Sequence, residues 1–309
     1  MTAINDFGQS LLQGLLASPK HTEAKWFYDE RGSALFDQIC RTKDYYPTRT
    51  EIMILEAKAR AMVDALGGEA VVLEPGAGSV VKIRYLLDVD HAIKAYVPFD
   101  ISGEHLDANA EILRADYPEL AVIPATGDFT QTITLPRDTP ENLPITIFFP
   151  GSTIGNFEPE RAEALLRRFA DVPNALNLIL GADLRKDEAV LLRAYDDSEG
   201  VTAAFNRNIL VRANRELGAD FDPNAFAHHV RYDHDEHRIE MHLESLQEQS
   251  IQLLGQTIPF AKGETIHTEN SYKYDEESLI AMARPAGWSL EERWYDEQQL
   301  FGVFLFTRS

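Results

Sequence analysis

Two glycines, Gly76 and Gly78, sit in AVVLEPGAGSVVK where an apolar, β-rich run gives way to a helix. Open α/β sheets bind ligands at such strand-to-helix turns, and glycine lets a ligand approach the backbone closely. The third glycine of a dinucleotide fingerprint is missing, because Val81 stands in its place, and the chain has no Walker loop. Asp100 ends the next apolar run, 22 residues after Gly78, where a carboxylate can accept hydrogen bonds from ribose hydroxyls. A third run delivers Asp128 for an adenine amino group and Phe129 to lie against the base. In this order, glycine turn, acid and Asp-Phe pair fit S-adenosylmethionine better than a dinucleotide. Taken singly, each has a plainer reading: a tight β-to-α turn, and helix caps at Asp100 and Asp128. Lys82, in the first turn of the following helix, is either a solvated lysine or one that reaches a carboxylate such as that of methionine.

A second polar cluster follows the fourth apolar run, where PGSTIGN puts Gly151, Ser152, Thr153, Gly155 and Asn156 within six residues. The Asn156 amide both donates and accepts, which suits the carboxylate and amine of an amino acid; the plainer reading is a loop that satisfies its own backbone. Ligand binding is the favoured expectation. Five of the nine histidines, His228, His229, His234, His237 and His242, lie close together in sequence. Their donors are expected on different strand faces, DHDEH reads as a polar turn and no cysteine joins them, so no metal site is expected. Trp26, Tyr28, Phe36, Tyr45 and Tyr46 form an aromatic stretch that is either core or the lining of a pocket suited to a methylated ammonium.

Such residues need a scaffold that brings strand ends together. The chain has 309 residues, 44% hydrophobic and 26% charged, which excludes disorder, collagen and disulfide scaffolds. Asp and Glu number 50 against 29 Lys and Arg, and the net charge of -21 argues against nucleic acid and against an anionic membrane surface as partners. One cysteine, Cys40, no apolar run near the ~20 residues of a bilayer span, and a start without signal-peptide features lead to a cytoplasmic expectation. Apolar runs at 70–73, 95–99, 120–124, 145–149 and 176–180 alternate with amphipathic segments, the pattern of a doubly wound α/β core around a parallel sheet. In the second amphipathic segment Leu106, Ala110, Ile112 and Leu113 are expected to form one apolar stripe. After Asp183 comes an α+β insertion or lid: a helical VTAAFNRNILVRANRELG, then alternating segments such as RIEMHLES, with Ile239, Met241 and Leu243 on one face and Glu240, His242 and Glu244 on the other. A helix, DEESLIAMAR, and an antiparallel edge pair of strands end the chain. The expected division is an N-terminal helical segment, 1–60, packing with the lid; a core of 61–185 and 286–309; and a substrate-binding insertion, 186–285.

KWFYDERGSALFDQI, YYPTR, PGSTIGNF, GADLRKD, RAYDD, GVTAAFNRN and RIEM, in this order, closely resemble the L-histidine N-alpha-methyltransferases of ergothioneine biosynthesis, which form trimethylhistidine, or hercynine. The likeness runs from about residue 20 to the C-terminus, and the chain departs from the family pattern at the glycine turn, where Pro75 stands. The resemblance implies a Rossmann-like core with S-adenosyl-L-methionine as cofactor, held by Gly76, Gly78, Lys82, Asp100, Asp128 and Phe129. It implies that Tyr45, Asn156 and Tyr195, with Gly151 and Thr153, grip the amino and carboxylate groups of a small-molecule amino acid, with Tyr28 and Phe36 as pocket aromatics near the amine. Glu269 and Ser271, in TENSYKY, would read the imidazole, and Met241 would line the ring. A neutral imidazole offers one donor and one acceptor, which a carboxylate and a hydroxyl complement. The expected activity is trimethylation of the histidine alpha-amino group, with Tyr28 and Tyr45 as the catalytic pair that orients the amine and with no metal. The alternatives are an N-methyltransferase for another aromatic amino acid and a non-catalytic sensor of the adenosyl cofactor or of histidine.

Overall fold

A computed structural model of the chain describes residues 6–89 and 92–309. It divides into two compact units: the N-terminal residues through Tyr46 with Lys186–Lys273, and Pro47–Arg185 with Tyr274–Ser309. No helix among the described residues is long and apolar enough to cross a membrane.

The larger unit is built on a sheet with strand order Trp288–Tyr295, Phe301–Arg308, Ala175–Asp183, Ile145–Phe149, Ala70–Pro75, Ile93–Asp100 and Ala121–Val122; Ala125–Thr126 also pairs with Ile93–Asp100. From Ala175–Asp183 to Ala121–Val122 neighbouring strands are parallel, and the last two strands of the chain add antiparallel at one edge. Every residue of Ala70–Pro75 and Ile145–Phe149 is buried, as strands covered on both faces require. From Ala70–Pro75 the chain winds outward to Ala121–Val122, then returns to place Ile145–Phe149 and Ala175–Asp183 on the other side. Open α/β sheets bind ligands at such a reversal, which here lies at the carboxyl ends of Ala70–Pro75 and Ile145–Phe149, the strands that lead into the glycine turn and PGSTIGN.

Two details differ from the sequence pattern. In Gly103–Asp116, Leu106, Ala110 and Leu113 are buried, but Ile112 is 50% exposed. Two residues past Ala110 lies about 200° around a helix, so Ile112 faces away and the stripe is corrected to three residues. The unit boundaries fall at 46/47 and 273/274, against the 60/61 and 285/286 expected. Ile54, Leu55, Met62 and Val63 of the helix Tyr46–Ala65 pack in one cluster with Val72, Tyr96, Phe148 and Ile179 of the large sheet. Glu276–Ala283 similarly packs on Pro159–Ala170 and Trp288–Tyr295.

The smaller unit carries a sheet ordered Lys20–His21, Thr265–Tyr272, Arg238–Ser245 and Phe226–Asp233, and a separate hairpin of Gln249–Leu253 and Gln256–Phe260. Thr265–Tyr272 contains a bulge: His267 pairs with His242, yet Glu269 pairs with Met241, so Thr268 is the extra residue. Its hydroxyl donates to the Met241 carbonyl at 3.0 Å. Paired residues share a face, so the bulge puts Glu269 and Ser271 with Met241 and Ile239, and His267 and Asn270 with His242 and Glu240.

The helix Glu30–Ile39 starts at Asp29, whose carboxylate accepts from Gly32 N at 2.7 Å. Only glycine fits at position 32, because a Cβ there would lie 1.7 Å from the Phe27 carbonyl oxygen. The same carboxylate accepts from Asn208 at 2.7 Å and Arg215 at 2.5 Å, both on the helix Val201–Leu217. Partial burial works to raise the Asp29 carboxyl, but the hydrogen bonds outweigh it and hold it below the usual range. Asn206 donates to the His242 carbonyl at 3.0 Å, so FNRN ties its helix to KWFYD at one position and to the sheet at another. Asp29→Ala should therefore lower the unfolding free energy by about 1–3 kcal/mol, the scale of a lost cap with its hydrogen bonds. Denaturant titration measures it, and an unchanged midpoint would mean that Asp29 carries no stability.

Candidate active site

In the larger unit the glycine turn hangs from the neighbouring strand. Gly76 N and Ala77 N both donate to the Phe99 carbonyl, at 2.7 and 3.3 Å, and Gly78 N donates to Gly76 O at 2.8 Å. Gly76 has φ +76°, and a Cβ there would press to 3.3 Å from the Phe129 ring. A Cβ at Gly78 would meet nothing within 4 Å, which leaves that backbone open to a ligand. Phe129 is held edge-on by Phe149 and Phe157, with centroids 5.7 and 6.2 Å away. Asp100 accepts from Ser102 N at 2.9 Å and Asp128 from Thr130 N at 2.8 Å, local turn bonds that orient both carboxylates; neither residue caps a helix, since Ser102 stands at the start of Gly103–Asp116 and no helix directly follows Asp128. An open glycine backbone, an oriented strand-end acid and an apolar ring make a set that fits an adenosyl group.

Lys82 is not a solvated lysine. Its Nζ lies 2.6 Å from Oε2 of Glu51, whose side chain is 1% exposed. Both oxygens of Glu51 also accept from Gly151 N, at 2.9 and 3.0 Å. One buried acid on the helix Tyr46–Ala65 thus joins the lysine after the glycine turn to the PGSTIGN loop, where Gly151 takes φ +82°. Within that loop Thr153 Oγ1 donates to Pro150 O at 3.0 Å and Ser152 Oγ accepts from Asp183 N at 2.9 Å, so both hydroxyls serve the backbone. Asn156 is half-buried at the end of the short helix Thr153–Asn156. Beneath the glycine turn Glu74 accepts from Tyr96 OH at 2.6 Å, and burial pushes its carboxyl up to about 8.

The smaller unit gathers Tyr28, Phe36, Tyr45 and Tyr195. Successive ring centroids are 5.6, 6.3 and 6.1 Å apart, all edge-on. Phe205 of FNRN packs on Tyr28 and Phe36, at 5.8 and 6.1 Å. Burial, then the neighbouring Tyr195, Cys40, Tyr28 and Glu269, pushes the Tyr45 hydroxyl well above the usual tyrosine range, so it remains a protonated donor and not a base. The run ends at Tyr195, whose hydroxyl lies 2.6 Å from Ser271 Oγ. Glu269, half-buried on the same strand face and paired with the buried Met241, is pushed up to about 7 by desolvation, with Lys273 drawing it down. Sequence reasoning missed Lys273, a buried cation that donates to Ser271 Oγ at 2.7 Å and to Tyr195 OH at 2.9 Å. Gly151, Thr153 and Asn156 belong to the larger unit, and Tyr28, Phe36, Tyr45, Tyr195, Met241, Glu269 and Ser271 to the smaller.

The histidines converge more than was expected. His21, His267, His242 and His229 occupy paired positions across the four strands of the smaller sheet, and His242 stacks on His267 with centroids 4.7 Å apart. Glu240, His242 and His267 bring ligand-type atoms within 4.8 Å of one another among the described residues. Of the five histidines whose donors were expected on different faces, His229 and His242 share one, because in-register strands aim paired side chains the same way. The carboxylate is already committed, however: Arg231 and Arg238 hold its two oxygens at 2.5 and 2.7 Å. Against burial, the bonds from His242, Arg238 and Arg231 draw Glu240 down to about 2. Two guanidinium groups on one carboxylate oppose a cation, so the cluster reads as a structural network. His228 is tied elsewhere, to Asn206 and the Tyr195 carbonyl, and His234 is exposed beside Glu188.

Comparison with known proteins identifies the family of the chain. The model of a family described as histidine-specific, S-adenosylmethionine-dependent methyltransferases matches residues 7–308. The histidine N-alpha-methyltransferase of Mycolicibacterium smegmatis is 40% identical over 301 residues, covering 96% of this chain and 92% of that protein. That of Mycobacterium tuberculosis is 40% identical over 306 residues, covering 97% and 94%. The 4-dimethylallyltryptophan N-methyltransferase of Aspergillus fumigatus is 28% identical over 296 residues, covering 90% and 86%. A match of this length takes in the glycine turn and the Tyr195–Ser271 pair together, and the chain belongs to the histidine-specific, S-adenosylmethionine-dependent methyltransferase family.

Proposed function

We propose that the chain methylates the alpha-amino group of L-histidine three times, giving hercynine. The observation that carries this reading is the strand face of Glu269 and Ser271, joined through Tyr195 to the aromatic run Tyr45, Phe36 and Tyr28. Glu269 accepts the imidazole N–H, Ser271 donates to the other ring nitrogen and Met241 lines the ring. Tyr45 and Tyr195 of the smaller unit hold the amino and carboxylate groups; Gly151, Thr153 and Asn156 of the larger unit are assigned to substrate by the family resemblance alone. Gly76, Gly78, Asp100, Asp128 and Phe129 hold the adenosyl group, and Lys82, steadied by Glu51, the methionine carboxylate. S-adenosylmethionine, when bound, supplies an electrophilic sulfonium methyl. The amine must be neutral to attack and must be held at about 3–3.5 Å in line, so positioning dominates. Tyr28 and Tyr45 orient the lone pair as hydrogen-bond partners, and aromatic faces tolerate the fixed charge of the product.

Another aromatic amino acid is the nearest alternative, since one relative is named for a tryptophan derivative. Glu269 favours a ring with an N–H to donate, and a desolvated carboxylate penalises rings without one. A cofactor or histidine sensor would bind without turnover; mass spectrometry of each amino acid incubated with enzyme and S-adenosylmethionine decides between all three by counting added methyl groups. The single cysteine, which can form no intramolecular disulfide, fits a cytoplasmic setting.

For Glu269→Ala we expect kcat/KM for histidine to fall by about 2–4 kcal/mol, with cofactor affinity nearly unchanged by calorimetry. Wild-type histidine kinetics in both Glu269→Ala and Ser271→Ala would remove the imidazole assignment. The ionised carboxylate is the stronger acceptor for the ring N–H, and with its carboxyl pushed up to about 7, histidine kcat/KM should fall as pH drops through that value. Asp100→Ala should weaken S-adenosylmethionine binding, because ribose hydrogen bonds to a charged acceptor are each worth about 1.5–3 kcal/mol before water compensates; unchanged affinity in a folded variant excludes Asp100 from the site. Methylation should survive exhaustive chelation, given how Glu240 is committed. Loss of activity restored by one specific divalent ion would defeat that expectation.

A further inference from the structure

Lys273 sits at the centre of a three-membered hydrogen-bond ring. Its Nζ donates to Ser271 Oγ at 2.7 Å and to Tyr195 OH at 2.9 Å, and those oxygens are 2.6 Å apart. The ammonium also lies 4.6 Å from the centroid of the Tyr195 ring. An ammonium has three donors and no acceptor, while each hydroxyl has one hydrogen and two lone pairs. Lys273 therefore spends one hydrogen on each oxygen, and one hydroxyl hydrogen bridges the two oxygens. A phenol is the stronger donor, so Tyr195 donates to Ser271. Ser271 Oγ has then accepted twice, and its own hydrogen points out of the ring.

We infer that Lys273 is a positioning residue that fixes Ser271 as an outward donor, so that the substrate's imidazole must present its acceptor nitrogen to Ser271 and its N–H to Glu269. This rests on the proposed histidine reading and deepens it, because the pair then selects one neutral tautomer and excludes imidazolium. The same positive charge keeps Glu269 in the range where it can ionise, drawing it down against the desolvation that raises it. Other groups near Glu269 leave that role to Lys273. Tyr45 is held protonated; Met241, its pair on the neighbouring strand, does not titrate; and His267, which reaches the Glu269 carbonyl from the opposite face at 3.2 Å, is shifted by burial toward its neutral form.

The test uses Lys273→Met, which keeps bulk without charge, Lys273→Gln, which keeps donors without charge, and Lys273→Arg. Histidine and 3-(2-thienyl)alanine, a ring with no nitrogen, are compared by kcat/KM between pH 5.5 and 9, in the range about the ordinary histidine and amine values. Lys273→Met should lower the preference for histidine at least tenfold, mainly through KM, and move the acid limb of the histidine profile upward by about one pH unit. Cofactor affinity should hold. Lys273→Gln should show the pH displacement with a smaller loss of preference, and Lys273→Arg should restore the limb. In a Ser271→Ala background the preference effect of Lys273→Met should vanish. A merely structural role would lower activity at every pH and leave the limb in place. If neither uncharged variant moves the limb or the preference while Glu269→Gln abolishes the limb, the role of Lys273 is overturned and the histidine reading stands. If Glu269→Gln leaves the limb and the preference untouched, the histidine reading itself fails.

Discussion

One extra residue in one strand decides what each face of the smaller sheet can be. Without the bulge at Thr268, Glu269 would pair with Glu240 and Ser271 with Arg238, on the face of the histidine row, and two carboxylates would stand directly opposed. With it, the alternation resets after His267. Thr268 offsets part of the interrupted ladder by bonding the Met241 carbonyl. One face of the sheet becomes a charged and imidazole network locked by Arg231 and Arg238, and the other offers Glu269 and Ser271 beside Ile239 and Met241. The polar residues of RIEMHLES and TENSYKY are thereby separated into groups that hold the sheet together and groups left for chemistry.

Two buried carboxylates do similar work elsewhere. Asp29 joins the start of Glu30–Ile39 to Val201–Leu217, and so places Tyr28, which precedes it, and Phe36, which lies on the helix it caps. Glu51 joins Lys82 to Gly151. In both cases an acid is desolvated but fully hydrogen-bonded, the arrangement under which a buried charge fixes geometry without a large penalty. Much of KWFYD and FNRN is explained this way. Asp29, Asn206 and Asn208 act on other protein groups, and Tyr28 is the member of KWFYD that reaches the aromatic run.

What the sequence reveals follows the range of the forces involved. Period-two and period-3.6 patterns are local, so the parallel core, the antiparallel closing pair and the α+β insertion are legible, and the glycine turn is legible from spacing to Asp100. The Ile112 stripe failed because four apolar residues in eight do not all fall on one helix face. Pairings over long separations leave no local trace: Glu51 meets Gly151 100 residues on, and His267 joins His242 only through strand register. Lys273 is hidden for another reason. A lysine between two tyrosines reads as an amphipathic strand position, and only the Tyr195 and Ser271 hydroxyls show that its ammonium is buried as a donor.

Charge placement in the proposed site follows from the reaction it must serve. The nucleophile is a neutral amine and the final product carries a fixed positive charge, so an ionised carboxylate beside the nitrogen would favour the protonated, unreactive ammonium. The acidic group is therefore better spent on the ring, and the groups assigned to the amine, Tyr45 and Tyr28, carry no charge. Burial and its neighbours keep the Tyr45 hydroxyl protonated, which makes it a donor and acceptor that can orient a lone pair without titrating. Aromatic faces then meet the growing charge through their quadrupoles, an attraction that does not depend on pH and does not compete for the proton. Glu269, by contrast, is pulled two ways, desolvation pushing its carboxyl up to about 7 and Lys273 drawing it down. A ring N–H that completes the carboxylate's hydrogen bonding favours the ionised form, so recognition of the correct ring and ionisation of the group that reads it are one linked equilibrium.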